Sequence, residues 1–196
     1  MQVVLMDAGG SNIGSLRYAL QRLDVEAIWT TDVETIRSAD RVILPGVGTA
    51  RCGMSRLHEL GLVELLRSLR QPVLGICLGM QLLFAHSEED DTPCLGLIPA
   101  AVKRFTERPG LRVPHMGWNR LQIQRRHPLL TGLNEGEQVY FVHSYAAPVG
   151  SWTLASAFHG GPFSAVVACG NFYGMQCHPE RSASVGVKLL WNFLGL

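Results

Sequence analysis

Short apolar runs alternate with helically spaced stretches through the first half of the chain. Val3–Met6 is an unbroken apolar run of strand length. Asn12–Leu23 follows, with Ile13, Leu16, Ala19, Leu20 and Leu23 at helical spacing and Ser11 or Asn12 as its N-cap. Val25–Trp29 and Arg41–Leu44 read as the next strands. Ala50–Leu60 and Leu62–Leu69 read as helices, Pro72–Ile76 as a fourth strand and Leu78–Ala85 as a helix. Short strands alternating with helices predict a mostly parallel sheet covered on both faces. Ligands of such sheets bind at the carboxyl ends of the strands.

From Leu95 onward the pattern changes. Val102–Phe105, Trp118–Ile123, Val139–Ala146, Thr153–Ala157, Ser164–Ala168 and Phe172–Met175 read as strands and hairpins, and Ala183–Leu194 as a closing helix. No linker-like or repetitive stretch interrupts the chain. The expected fold is α/β: a mostly parallel central sheet flanked by helices, with an antiparallel β extension, in one domain over residues 1–196.

Composition narrows the function. A chain of 196 residues buries a full core without disulfides. Its 47% hydrophobic and 17% charged residues exclude disorder and coiled coil. A net charge of +1 supplies no broad field for nucleic acid or an anionic membrane, so neither is an expected partner. No apolar run reaches the ~18–20 residues that cross a bilayer. The apolar start, Met1–Asp7, is short and lacks a basic region, so it reads as a strand and not as a signal peptide; a cytoplasmic location is expected. The five cysteines (Cys52, Cys77, Cys94, Cys169 and Cys177) are odd in number and include no CxxC pair, against a disulfide framework or a zinc ribbon. No metal site and no cofactor are expected.

The strongest chemical signal is Gly75-Ile76-Cys77-Leu78-Gly79, between a strand and a helix. This is the nucleophile-elbow pattern with sulfur in place of oxygen. The central residue sits in a tight turn, and small flanking residues give it room. At a helix N-terminus, free N–H groups and the dipole favour a thiolate, and the Leu78 N–H is placed for an oxyanion. The bland alternative is a buried cysteine in a glycine-rich turn. A thiol nucleophile needs a base and the base an orienter. His178-Pro179-Glu180 follows the last strand, and in an extended segment His178 and Glu180 face the same side; spacing alone leaves open whether they bond, and a surface His-Pro turn is the alternative. Pro45-Gly46-Val47-Gly48, at the end of the third strand, offers backbone N–H groups to an oxyanion, or is an ordinary turn. It is too short for a phosphate loop and lacks its Lys-Ser/Thr ending.

Together these motifs, with Gly75–Leu83 and Gly174–Glu180 in this order, resemble the class I glutamine amidotransferases with a Cys-His-Glu triad, over essentially the whole chain. Asp7-Ala-Gly-Gly-Ser-Asn12, Pro114-His-Met-Gly-Trp-Asn119 and Tyr140-Phe-Val-His-Ser-Tyr145 are similar, within that family, to the glutaminase subunits of imidazole glycerol phosphate synthases. The Gly-Gly-Glu-Ser segment expected of the related pyridoxal 5′-phosphate synthase glutaminases is absent. Cys177 departs from the family pattern, which has an aromatic before the His, and puts a second thiol beside the base.

The resemblance implies the following roles. Cys77 attacks the side-chain amide of L-glutamine, His178 exchanges the protons, and Glu180 orients His178. Leu78 and Val47 supply the oxyanion N–H groups, Val47 from the Pro45–Gly48 loop, whose peptide can sit turned away until a partner signals. Gly48, Gln81, Glu89, Ser144 and Tyr145 hold the amino-acid portion of glutamine; for Glu89 the alternative is an exposed acidic loop. Ammonia passes to a (β/α)8-barrel cyclase subunit, which forms imidazole glycerol phosphate and an aminoimidazole carboxamide ribotide in histidine biosynthesis. Trp118, Asn119, Tyr140 and Arg181 match positions at that interface. Core packing is the alternative for Trp118 and Tyr140, and a solvated charge for Arg181. With a base already in place, His115 and His143 read as structural; His58, His86, His127 and His159 show no ligand spacing. Two rival functions stay open: a stand-alone γ-glutamyl hydrolase or cysteine peptidase of the same fold, and a redox or chaperone module with a reactive elbow cysteine.

Overall fold

A computed structural model describes residues 1–7 and 13–196. The first part of the chain runs β1 (Val3–Met6), α1 (Ile13–Gln21), β2 (Ile28–Thr30), α2 (Val33–Ser38), β3 (Arg41–Gly46), α3 (Ala50–Glu59), α4 (Leu62–Ser68), β4 (Val73–Cys77) and α5 (Leu78–Gln81). The second part runs β5 (Phe84–Ser87), β6 (Thr92–Pro93), β7 (Ile98–Arg104), β8 (His115–Arg120), β9 (Gln122–Ile123), β10 (Gln138–His143), β11 (Tyr145–Ala146), β12 (Thr153–Phe158), β13 (Pro162–Cys169), β14 (Phe172–Met175) and α6 (Ala183–Leu194).

The main sheet has the order β2-β1-β3-β4-β14-β13-β12-β9. From β2 to β14 every pair is parallel; from β14 through β13 and β12 to β9 every pair is antiparallel. Alternation along the parallel strands sorts side chains onto two cores. Val3, Leu5, Ile43, Leu74 and Ile76 face α1 and α6. Val4, Met6, Val42, Leu44 and Val73 face α2, α3 and α4. The α/β class with a parallel centre and an antiparallel extension is therefore what the chain adopts. Two smaller units complete it: an antiparallel ribbon of β8 and β10, and a sheet of order β11-β7-β5-β6.

Several predicted boundaries shift. The helix expected over Leu78–Ala85 stops at Gln81, and Phe84–Ser87 is strand β5. Leu82, Leu83 and Phe84 are all buried, and pairing of β5 with β7 takes the place of further helical bonds. The Leu83 carbonyl instead accepts Leu97 and Ile98 N–H groups at 3.0 Å. The strand expected at Val25–Trp29 begins at Ile28, because Val25 N–H still bonds the Leu20 carbonyl of the preceding helix at 3.1 Å. The runs Trp118–Ile123 and Val139–Ala146 each break, at Leu121 and Ser144, with their halves in different sheets. Helix α2 carries its start signal in Asp32, whose carboxylate accepts the Thr35 N–H at 2.8 Å and hydroxyl at 2.6 Å. The helix N-cap expected at Ser11 or Asn12, and the stretch 8–12 of the first resemblance segment, lie outside the described residues.

All five cysteines are free thiols. Among the described residues no helix is long and apolar enough to cross a membrane.

Candidate active site

Strand β4 ends on Cys77 and α5 begins at the next residue. Cys77 absorbs the whole reversal, with φ 55° and ψ −112°, a conformation that costs an L-residue of order 1–3 kcal/mol. Backbone closeness forces it. A Cβ on Gly79 would lie 1.9 Å from the Leu44 carbonyl oxygen, one on Gly75 2.5 Å from the Gly79 oxygen, and one on Gly46 2.7 Å from the Gly79 nitrogen. The first turn of α5 is thus pressed between the ends of β3 and β4, which closeness only glycine permits.

Strand β14 lies parallel beside β4, with Met175 opposite Ile76. The segment after β14 therefore emerges next to Cys77. Its shape is fixed by three bonds: His178 N–H to the Tyr140 carbonyl at 2.9 Å, Ser182 hydroxyl to the His178 carbonyl at 2.7 Å, and Tyr140 N–H to Ser182 Oγ at 2.9 Å. Behind it Gly186 of α6 packs so close that a Cβ would meet the Pro179 oxygen at 1.9 Å.

Glu180 Oε1 and His178 Nδ1 are 2.9 Å apart, and both side chains are nearly buried. With Nδ1 engaged by Glu180, Nε2 is the ring nitrogen left for other partners. Burial pulls the His178 imidazole down, but its hydrogen bonds and charge interactions with Cys77 and Glu180 outweigh burial and raise it to about 10. The cation is thereby favoured beside sulfur, the pairing a thiolate nucleophile requires. Gln176 Nε2 and the Val142 carbonyl also approach Cys77 Sγ, each at 3.9 Å.

Cys77 and His178 open onto a cleft of about 530 Å³. Val47 and Gly48 (φ 94°) line it, as do Leu78, Gln81, Glu89, Ser144, Tyr145 and Arg181. Glu180 stands behind His178. Glu89 Oε2 accepts the Ala50 N–H at 2.7 Å, in the first turn of α3, where Thr49 Oγ1 caps the Cys52 N–H; burial raises its pKa and the Ala50 bond opposes that. Gln81 is buried, and its amide donates to the Tyr145 carbonyl and to Gln176 Oε1, both at 2.9 Å.

The expected partner residues divide. On the outer face of the ribbon, Trp118 lies opposite Tyr140, the rings edge to face at 5.9 Å, and the Arg181 guanidinium sits 4.5 Å from the Tyr140 ring centre. Trp118 is 50% exposed, so it is not core. Asn119 points to the other face and bonds the Phe158 carbonyl at 2.9 Å. Sequence reasoning passed over Gln176, although its place two residues before His178 puts it on the same side of an extended segment. Cys177 is fully buried in the core on the α1 and α6 side, where burial and Glu180 push its thiol well above the ordinary range.

Residues 4–195 match the family model "Glutamine amidotransferase class-I". The chain is 56% identical over 193 residues to the imidazole glycerol phosphate synthase subunit HisH of Xylella fastidiosa strain Temecula1, covering 98% of this chain and 96% of that one. It is 57% identical over 192 residues, with the same coverage, to the HisH subunit of Xanthomonas euvesicatoria pv. vesicatoria. Among solved structures, a glutamine amidotransferase superposes with TM-score 0.75 at 22% identity, over 100% of this chain and 98% of that chain. PurLQS from Thermotoga maritima gives TM-score 0.75 at 18% identity, over 99% and 97%. At these identities the two structures speak for the fold alone.

Proposed function

The chain belongs to the class-I glutamine amidotransferases, and on that premise we propose that it is the glutaminase subunit of an imidazole glycerol phosphate synthase, acting through Cys77, His178 and Glu180. Its likeness to the HisH subunits over nearly its whole length supports the assignment. The observation that carries the chemistry is Cys77, strained at the end of β4 and sharing its cleft with an imidazole that Glu180 already holds.

In this reading the Cys77 thiolate attacks the amide carbon of glutamine. The oxyanion that forms is held by the Leu78 and Val47 N–H groups. As the tetrahedral species collapses, the C–N bond breaks, and His178 gives its Nε2 proton to the departing ammonia. A γ-glutamyl thioester remains on Cys77. His178, now neutral, takes a proton from water as that water adds to the thioester. Glutamate leaves and the thiolate–imidazolium pair is restored. Glu180 keeps the Nδ1 proton in place throughout. Gly48, Glu89 and the Ser144–Tyr145 turn hold the amino-acid end of the substrate, Glu89 as the carboxylate partner for the α-ammonium. Gln81 acts through the Tyr145 carbonyl and Gln176, since its donors are spent there. Ammonia passes to a (β/α)8-barrel cyclase docked on the Trp118, Tyr140 and Arg181 face, beside the cleft mouth that Arg181 lines.

The test is glutamate release by the chain with its barrel subunit. Cys77→Ala is expected to lose at least about 10⁴-fold in kcat, the scale of nucleophile removal in acyl transfer, with its unfolding transition retained. Activity near wild type in that variant excludes Cys77 as nucleophile.

A further inference from the structure

Two imidazoles beside the cleft take no part in that chemistry. His115 and His143 are buried opposite one another on the inner face of the ribbon, paired in register between β8 and β10. His115 Nδ1 and His143 Nε2 are 3.0 Å apart. The ends of this contact fix which atom carries each proton. Arg120 N–H donates to Asn119 Oδ1 at 2.8 Å, so the Asn119 amide nitrogen faces the Phe158 carbonyl at 2.9 Å and His115 Nε2 at 3.2 Å. At the other end the Tyr145 carbonyl only accepts, so the proton 2.8 Å away is on His143 Nδ1. Between neutral rings, His143 Nε2 then accepts and His115 Nδ1 donates. Burial supports that neutrality, holding His115 down to about 4 and His143 to about 3. Every bond points one way, from Asn119 through His115 and His143 to the Tyr145 carbonyl. The rings have no room to turn: His159 stacks on His115 at 4.2 Å, and Phe105 and Phe163 pack edgewise or tilted on His143 at 5.1 and 5.0 Å.

The last bond has a particular geometry. It joins the His143 ring to the main chain two residues on, across Ser144, in the segment where β10 ends and β11 begins. The same Tyr145 carbonyl receives Gln81, which reaches Gln176 beside Cys77. His143, Ser144 and Tyr145 all line the cleft.

We propose that His143 is a positioning residue for glutamine: its tautomer set by His115, it braces the Ser144–Tyr145 turn against which the amino-acid end of the substrate rests. This builds on the substrate-holding role given to that turn above.

The experiment measures kcat and KM for L-glutamine in the assembled pair of subunits. His143→Phe keeps the ring volume and loses the bond; KM is expected to rise about tenfold, the equivalent of one buried hydrogen bond, with kcat within about threefold. His143→Asn places an amide N–H where Nδ1–H was and restores KM to within about threefold of wild type. His115→Phe raises KM in the wild-type background but adds nothing to His143→Asn, whose amide donor has no tautomer for His115 to set. A wild-type KM in His143→Phe, a loss confined to kcat, or no rescue by Asn overturns the proposal. Imidazole ¹⁵N shifts of the wild-type chain give a readout independent of variants: both rings neutral with the proton on Nδ1 at neutral pH support it, and a proton on Nε2 of His143 overturns it. A wild-type pair that releases no glutamate overturns the functional reading itself and this proposal with it, an outcome distinct from an active enzyme indifferent to His143.

Discussion

The Cys77 elbow and the β8–β10 ribbon flank one cleft and are held in shape by opposite means. At the elbow, main chain rests on main chain: Gly46, Gly75 and Gly79 bring β3, β4 and α5 closer than any Cβ permits. In the ribbon, main chain supplies only the ladder, and side chains do the fixing. Its inner face carries the Asn119, His115 and His143 chain; its outer face carries Trp118 and Tyr140 under Arg181. A nucleophile has to be held to a fraction of an ångström, and a wedge of backbone on backbone, with no side-chain torsions, does that. A surface that meets another chain benefits from large rigid aromatic groups left in solvent. The comparison predicts where each region breaks: the elbow on gaining one methyl group, the ribbon on losing an exposed ring.

The largest effect is expected at Gly79. In Gly79→Ala the new methyl meets the Leu44 carbonyl in the middle of the core, and neither β3 nor α5 has space to retreat. The cost is expected to be at least about 3 kcal/mol, at the upper end for an overpacked core, read from urea denaturation of the lone chain. On the ribbon, exposed Arg120→Ala is expected to stay within about 0.5 kcal/mol of wild type. A Gly79→Ala chain as stable as the wild type breaks the contrast, because the elbow then has slack.

This contrast also explains what the sequence revealed. The elbow was legible because its constraint is local: glycines two residues either side of Cys77 announce a turn that excludes side chains. The alternating apolar runs of β1, β3 and β4 announced the parallel sheet for the same reason. The imidazole chain was not legible. His115 and His143 look alike whether they bond each other or solvent, and only the register of β8 on β10 brings them together. The break at Ser144, which turns one predicted strand into two, was hidden because Val139–Ala146 keeps strand-like residues on both sides of it. Asn119 shows the same limit from the other direction. Its neighbour Trp118 faces solvent, and the strand period of two sends Asn119 inward, so the segment it shares with Trp118 did not reveal that it bonds within the chain.

A middle-sized effect sharpens the outer face of the ribbon. Trp118→Ala is expected to weaken assembly with the proposed barrel subunit by about 2 kcal/mol, the scale of an interface anchor, in an affinity measurement such as titration calorimetry. The lone chain is expected to lose less than about 0.5 kcal/mol of stability, since the ring is half in solvent and pairs edge to face with Tyr140. The reverse pattern, a stability loss with assembly intact, would return Trp118 to the core.

The smallest effect concerns Cys77 itself and decides whether the elbow stores strain. Glycine in ordinary structure costs about 0.5–1 kcal/mol relative to alanine, through the freedom it loses on folding. At φ 55° and ψ −112° the balance reverses, because alanine keeps the Cβ that makes this conformation costly and glycine does not. Cys77→Gly is therefore expected to be more stable than Cys77→Ala by about 1 kcal/mol, both being inactive, in paired denaturation curves. An advantage for alanine of about 0.5–1 kcal/mol, the ordinary cost of glycine, would mean that residue 77 sits at the turn without strain. The closeness of Gly79 to β3 would then be a matter of packing and not the means by which the sulfur is presented.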